Sequence, residues 1–327
     1  MSGVLEVIKA GIHASIQGNY RYGYFGQGIP PSGPMDEFSH HLGNILVGNK
    51  PEAPSLEFAL YGGRLKFIKN TVFALTGAEF SAKLSGEPLA SWQTYPAKAG
   101  DLLDLGYAQN GCRGYLSIAG GFNVPLVLGS TSTYPPGSIG GYRGRFLIAG
   151  DVLADDDSVA DYALLENRVF RQGKELFPGI ESCIYIMEGP QFDHYEEDSI
   201  AEFLAADWIT SDKINRVGVR FDGITLRFKE REKDPDEAKH LSNIIDDGIP
   251  IGGMQTPSGK EIICMAKDCV SAGGYTKIGV AVKASLDTLG QLAPGRKIKF
   301  KLVTLDEAIA MKEAKTAYYT EAAIGKK

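Results

Sequence analysis

Four segments of this 327-residue chain combine residue types that can hold or move charge. The run GlnGlyIleProProSerGlyProMetAsp, 27 to 36, places Ser32 and Asp36 at the entry of an expected helix. A helix start offers unpaired backbone N–H groups and positive dipole density, which suit a carboxylate or phosphate. Ser32 can equally serve as a simple helix cap, with Asp36 complementing the dipole. In TyrProProGlySerIleGlyGlyTyrArgGlyArg, 134 to 145, Gly140 and Gly141 let backbone N–H groups turn toward an anion. Arg143 and Arg145 add forked donors there, unless they pair with acids of the same chain. In AspCysValSerAlaGlyGlyTyrThrLysIleGly, 268 to 279, Asp268 follows an apolar run and sits near a strand end. Gly273 and Gly274 permit close approach of a ligand or another backbone. Lys277 suits an anion and Tyr275 a hydrogen bond or stack; the competing reading is a tight turn with a solvated lysine. The early GlnGlyAsnTyrArg pairs Gln17 with Arg21 beside the aromatic-rich stretch Tyr20 to Phe25, as a binding wall or, by default, as packing.

From these segments, Asp36, Asp268 and Lys277 are the catalytic candidates. The two acids would orient groups or accept protons, and Lys277 would hold negative charge. Gln17, Arg21, Ser32, Gly140, Gly141, Arg143, Gly274 and Tyr275 are the candidates for binding substrate or anion. There is no G-x-x-x-x-G-K-[ST], no G-x-G-x-x-G after a strand, no H-E-x-x-H and no G-x-S-x-G. His13, His194 and His240 are scattered, and His40 and His41 fall on the first expected helix, so no triad is legible. Cys112, Cys183, Cys264 and Cys269 form no C-x-x-C pair; a metal site is not expected, and reduced thiols are. Asp268 beside Cys269 should raise that thiol's pKa rather than activate it.

These residues must be positioned by short strands. Gly and Pro, 40 and 16 of them, punctuate the chain every few residues. Between them lie period-two runs such as ArgLeuLysPheIle and LysIleLysPheLysLeuVal, each with one face for a core. A helix is expected from Ser32 or Gly33, with Pro34 in its first turn, Met35, Phe38, Leu42, Ile45 and Leu46 on its apolar face and Gly48 as its stop. A second should begin at Ser199 with Glu202 completing a capping box, presenting Ile200, Phe203 and Leu204. A third should begin at Thr304, with Glu307 three residues on, and run through Ile309 toward Ala323. LeuTyrGlyGlyArgLeuLysPhe at 60 to 67 echoes PheAspGlyIleThrLeuArgPhe at 221 to 228. Glycine turns then precede a strand at Ala99 and again at Pro294, which suggests two related barrel-like units. The acidic stretch Asp155 to Asp157 and the polar region to about Glu181 mark the expected boundary, placed as domains 1–175 and 176–327, the latter with a C-terminal helix. The charged stretch Lys229 to Lys239 reads as a surface insertion.

A net charge of −6 argues against nucleic acid as the main partner. Apolar runs such as Thr71 to Leu75 are far too short for a bilayer. No basic segment followed by an apolar block opens the sequence, so a cytoplasmic location is expected.

Taken in order, the segments resemble the biotin-dependent carboxyltransferase family that includes the C subunit of 5-oxoprolinase, KipA and allophanate hydrolase subunit 2. The marks are GlyIleProProSerGlyProMetAsp at 28 to 36, AsnIleLeuValGlyAsn at 44 to 49, AlaLeuThrGlyAla at 74 to 78 and TyrLeuSerIleAlaGlyGly at 115 to 121. LeuGlySerThrSerThrTyr at 128 to 134, GlyGlyTyrThrLysIleGly at 273 to 279 and LeuAlaProGly at 292 to 295 complete them. The resemblance runs from about Gly11 to Ala308. It implies a mainly β fold of tandem cyclophilin-like β-barrel domains with a few short helices. It implies a KipI-like B subunit as partner and, with a lactam hydrolase A subunit, ATP-dependent opening of 5-oxoproline, a small acidic amide, to glutamate. Two alternatives follow from the same family: carboxyl transfer to urea or a related amide from biotin on a separate carrier, or non-catalytic antagonism of a KipI-like partner. The chain departs from the family pattern at Gly18, where an acid is usual, and at Cys269, where an arginine is usual.

Overall fold

Alternating runs between glycine turns build strands throughout the chain, as the period-two pattern predicts. The computed structural model describes residues 3–156, 159, 161–232 and 240–327. Its contacts divide the chain into two units. One gathers Met1–Tyr22, Ser32–Ile180 and Lys315–Lys327; the other gathers Gly23–Pro31 and Glu181–Ala314. A single cut at 175/176 would therefore separate 23–31 and 315–327 from the residues they pack with.

The first unit is one 11-stranded sheet. Its middle strands, Thr71–Gly77 and Arg113–Ile118, pair antiparallel and are buried along their whole length. The run ValPheAlaLeu within Thr71–Gly77 fits burial on both faces, whereas Arg113–Ile118 buries Arg113 and Ser117 along with its apolar residues. Ser55–Phe67 adds to Arg113–Ile118, and the long strand Gly3–Gln17 adds to Ser55–Phe67 through three register shifts. Helix α1, Glu37–Leu46, lies against the middle strands and is buried on nearly every side. It begins later than expected: Asp36, not Ser32 or Gly33, is its N-cap, and its carboxylate accepts from the Ser39 backbone N–H at 2.9 Å. Phe58, Phe67 and Phe73 fill the core beneath the sheet, each burial contributing about 1.5–3 kcal/mol. The edge strand Gly325–Lys326 pairs with Arg168–Val169, and Tyr318 and Tyr319 pack against Phe38.

The second unit closes into a barrel of seven strands: Cys183–Glu188, Lys277–Ala281, Gly253–Gln255, Glu261–Met265, Gly218–Asp222, Trp208–Thr210 and Lys297–Leu302. The last pairs in parallel with the first, which leaves the barrel without an edge. Ile184, Ile186, Trp208, Phe221 and Phe300 fill it. A separate two-stranded ribbon, Asn243–Gly248 with Ala272–Tyr275, belongs to this unit. Helix α2, Glu197–Ala205, starts two residues before the expected Ser199. Ser199 is buried and its hydroxyl accepts from the Arg227 N–H at 2.9 Å, while Glu202 pairs with the Arg227 guanidinium. The expected capping box is thus absent, and Glu197 and Asp198 complement the helix dipole instead. Helix α3 is Leu286–Gln291 and helix α4 is Leu305–Thr316. At α4 the predicted box does form: Glu307 accepts from the Thr304 N–H at 2.7 Å, and Thr304 Oγ1 accepts from the Glu307 N–H at 3.3 Å. The helix stops at Thr316, short of Ala323.

Four short α-helices against twenty strands among the described residues make the fold mainly β, as expected. The two echoing segments diverge locally: 60 to 67 stays within a strand, whereas the strand through 221 ends at Asp222. The paired glycine turns hold up better. Gly100 and Gly295 are both left-handed, with φ of 97° and 78°, and each precedes a strand. Asp155 is buried and paired with Lys69 at 2.7 Å, so it is not part of an open linker. Asp157 and most of the charged stretch, 233–239, lie outside the described residues. Among the described residues no helix is long and apolar enough to cross a membrane.

Candidate functional site

In the first unit, five of the candidate binding residues come together. The strand Gly3–Gln17 delivers Gln17 fully buried at its end, where Nε2 donates to Ser15 Oγ at 3.0 Å and to the Thr133 carbonyl at 3.2 Å. The Gly18 N–H donates to Ser132 Oγ at 3.0 Å, and the space for a side chain at 18 is taken by the Thr131 hydroxyl. An acid at 18 would therefore have to displace Thr131 from its present place. Arg21 is fully enclosed; Nη2 donates to the Ser132 carbonyl at 2.8 Å and Nη1 to Ser32 Oγ at 3.4 Å. Ser32 is itself buried at φ 56°, a strained conformation for a residue with a Cβ, and strain of this kind persists only where surrounding contacts impose it. A Cβ on Gly140 would lie 2.8 Å from Arg21 Nη2, and one on Gly141 would overlap the Thr133 hydroxyl. The two glycines therefore make room for the guanidinium and its loop.

Arg143 and Asp36 do not join this group. Arg143 is exposed and lies over the Tyr142 ring at 5.2 Å. Arg145 grips Asp151 with two bonds of 2.7 Å, which holds the Asp151 carboxyl below the usual range. Asp36 is committed to α1: its carboxylate takes the Ser39 N–H and hydroxyl, and its own N–H donates to the Tyr115 hydroxyl at 2.8 Å. Tyr115 donates in turn to Glu57 Oε2 at 2.8 Å, which also accepts from the Met35 N–H at 2.8 Å.

His40 completes this buried network. Its Nε2 donates to the Gln17 carbonyl at 3.1 Å, and Nδ1 is buried without a hydrogen bond. Burial, then the neighbouring His41, push its pKa down to about 3, against smaller opposing effects of the Gln17 carbonyl, Glu57 and Glu37. The ring is therefore neutral at neutral pH.

In the second unit, Asp268 and Lys277 have different surroundings. Asp268 is buried and takes two bonds from Arg216, from Nε at 2.8 Å and Nη2 at 3.2 Å. Its place is a structural ion pair. Cys269 beside it is buried; desolvation, then the Asp268 charge, push the thiol up to about 12, so it is inert. Lys277 is fully buried, which excludes the solvated-lysine reading. Its Nζ lies 3.1 Å from Asp247 Oδ2, in a geometry too bent for a hydrogen bond. The Asp247 side chain is 48% exposed, and Lys277 holds its carboxyl below the usual range. Gln191 clamps the pair, accepting from the Lys277 N–H at 3.1 Å and donating to Asp247 Oδ2 at 3.3 Å. Gln255, the cross-strand partner of Lys277, is buried with Nε2 unbonded. A Cβ on Gly273 would lie 2.6 Å from that Nε2, and one on Gly274 would lie 2.9 Å from Asp246 Oδ1. Tyr275 ends the ribbon strand, 37% exposed.

Sequence reasoning missed His40, Gln191, Asp247 and Gln255. The first sits on a helix read as one-sided, although nine of its ten residues are buried. The other three are brought to Lys277 by barrel closure and ribbon pairing, and no local pattern marks them.

The sequence pattern of the family described as carboxyltransferase domain, subdomain A and B, matches residues 27–302. This chain belongs to that family. The carboxyltransferase-family chain is 32% identical to the C subunit of 5-oxoprolinase from Escherichia coli over 322 residues, covering 98% of each. It is 34% identical to urea amidolyase of Saccharomyces cerevisiae over 317 residues, covering 95% of this chain but only 17% of that enzyme's length. Among solved structures, Kluyveromyces lactis urea carboxylase superposes with a TM-score of 0.90 at 33% identity, covering 99% of this chain and 30% of that one. Family membership accounts for the ordered motifs from Gly28 to Gly295, which fall within the matched span.

Proposed function

We propose that this carboxyltransferase-family chain is the C subunit of an ATP-dependent 5-oxoprolinase. It opens the lactam of 5-oxoproline to glutamate in the cytoplasm, together with a KipI-like B subunit and a lactam hydrolase A subunit. The observation that carries this reading is the match along 98% of the length of an E. coli protein named as the C subunit of 5-oxoprolinase. A lactam is a stable amide, and ATP would supply the phosphoryl group that activates its carbonyl oxygen. On this chain, the buried Lys277 ammonium holds the substrate's negative charge in a water-poor setting, where such an interaction is strong. Gln191 orients the pair around it. Arg21, tied to Ser32 and Ser132, keeps the first unit's loops in place.

The test is reconstitution with the B and A partners. Phosphate release and glutamate formation should both depend on 5-oxoproline; phosphate release that ignores 5-oxoproline rejects the reading. The TM-score of 0.90 against a urea carboxylase favours a second one, carboxyl transfer from biotin on a separate carrier to urea or a related amide. Bicarbonate- and carrier-dependent carboxylation of urea by the same preparation would establish it instead. Tight binding of a KipI-like partner with neither turnover would mark a non-catalytic antagonist.

A further inference from the structure

Lys277 and Asp247 form an unequal pair. The ammonium is 0% exposed while the carboxylate's side chain is 48% exposed. A buried ammonium needs an anion, because leaving it unpaired away from water is costly. A half-exposed carboxylate has no such need, since it can return to water at little cost. The ion pair is bent, so Asp247 satisfies the charge of Lys277 without giving its ammonium a good acceptor. Beside it, the buried Gln255 amide has Nε2 unbonded and faces the ribbon backbone at Gly273. Gly273 is the residue directly across from Asp247 in that ribbon. Two buried donors thus lie on the side of the ribbon that carries Asp247, whose half-exposed carboxylate is otherwise held only by the Gln191 amide at 3.3 Å and the Gly248 N–H at 2.7 Å among the bonds seen to it.

We propose that Asp247 is the resident occupant of a carboxylate-binding subsite, and that a ligand's carboxylate displaces it to sit between Lys277 and Gln255. The ribbon carrying Asp247 shifts outward as the ligand enters. The inference rests on the proposed function for the identity of that ligand, 5-oxoproline, but not for the subsite itself. Its consequence is selectivity. A neutral amide cannot evict Asp247, because Lys277 would be left without a counter-charge. A ligand bringing its own carboxylate exchanges one ion pair for a better one.

The experiment uses the full chain with 15N-labelled lysine and follows the Lys277 ammonium signal, assigned by its loss in Lys277→Met. The probes are 5-oxoproline, acetate, and 2-pyrrolidinone, which has the same ring without the acid. Both carboxylates should move the signal and 2-pyrrolidinone should not. Asp247→Asn, a change at a half-exposed position, should tighten carboxylate binding by about threefold to fivefold, the range expected from losing a partly exposed competitor. A signal moved by acetate but not by 5-oxoproline keeps the subsite and removes 5-oxoproline as its ligand. A signal that no carboxylate moves, even in Asp247→Asn, overturns the subsite. So does Asp247→Asn binding carboxylates no better than the parent protein.

Discussion

Each unit encloses a cation, and the two cations are kept in opposite ways. Arg21 is surrounded by acceptors that belong to the loops it ties together, the Ser132 carbonyl and the Ser32 hydroxyl. Lys277 is enclosed just as fully, yet its carboxylate partner stands half in water. The first arrangement is a brace and the second is a seat. Enclosure of a charge alone does not mark a binding place, and neither does an exposed partner alone: Arg168 is enclosed and pairs with the exposed Glu321, yet it is also held by the Ile45 carbonyl at 2.9 Å, whereas among the described residues the Lys277 ammonium has no such second acceptor. Asp268 makes the same point from the other side, since its partner Arg216 is only 6% exposed and nothing can exchange with it.

The contrast breaks if an enclosed pair proves dispensable. Arg216→Ala leaves the Asp268 carboxylate buried alone and should lower unfolding free energy by about 3–5 kcal/mol in urea denaturation; a loss under about 1 kcal/mol would put Asp268 in contact with water. Arg21→Ala strands buried acceptors in the first unit and should cost about 2–3 kcal/mol by the same measurement, with the loop at Gly140 becoming the first site of proteolysis. Lys277→Met should do the reverse. Unfolding free energy should change by less than about 1 kcal/mol, because an apolar replacement of a buried charge is often neutral. Turnover by the reconstituted complex should fall about 100-fold.

The smallest effect sharpens the picture of the first unit's interior. His40 titrates at about 3 in the folded chain and near 6.5 when unfolded. Between those values the unfolded state binds more protons, so stability is complete above pH 6.5 and declines as the pH falls toward 3. The slope from this one group is about 1.4 kcal/mol per pH unit. In His40→Gln that pH-dependent loss disappears, so the stability of the variant relative to the parent protein should rise steadily as the pH falls from 6 to 4. A constant difference would mean that the ring is not enclosed as described.

Much of the architecture was legible in the chain because it is written locally. Period-two runs gave strands, and Thr304 with Glu307 gave the start of α4, since a capping box involves four neighbouring residues. The start of α1 was misplaced because Ser32, Pro34 and Asp36 all suit a helix entry, and the choice depends on Tyr115 accepting the Asp36 N–H from a distant strand. The same limit governs the candidate site. Gln17, Arg21, Ser32, Gly140 and Gly141 were recognised by type, and the first unit gathers them. Arg143 and Arg145 look alike in sequence, yet only Arg145 has an acid, Asp151, six residues on that meets it. Asp247 and Gln255 carry no local mark, because what singles them out is the difference in exposure across a long-range pair.

The strand Gly325–Lys326 and the rings of Tyr318 and Tyr319 also bear on how the chain is born. They follow the whole barrel in sequence, yet they finish the edge and wall of the unit that precedes it. During translation, domains generally fold as units as they emerge. Here the earlier-encoded sheet lacks its last edge strand and the cover of two tyrosines until the later-encoded barrel has been made. The last piece of the first unit is thus made after the whole of the second, and a nascent chain stalled before residue 315 would leave Phe38 packed on Trp92 and Phe170 but without its cover of Tyr318 and Tyr319.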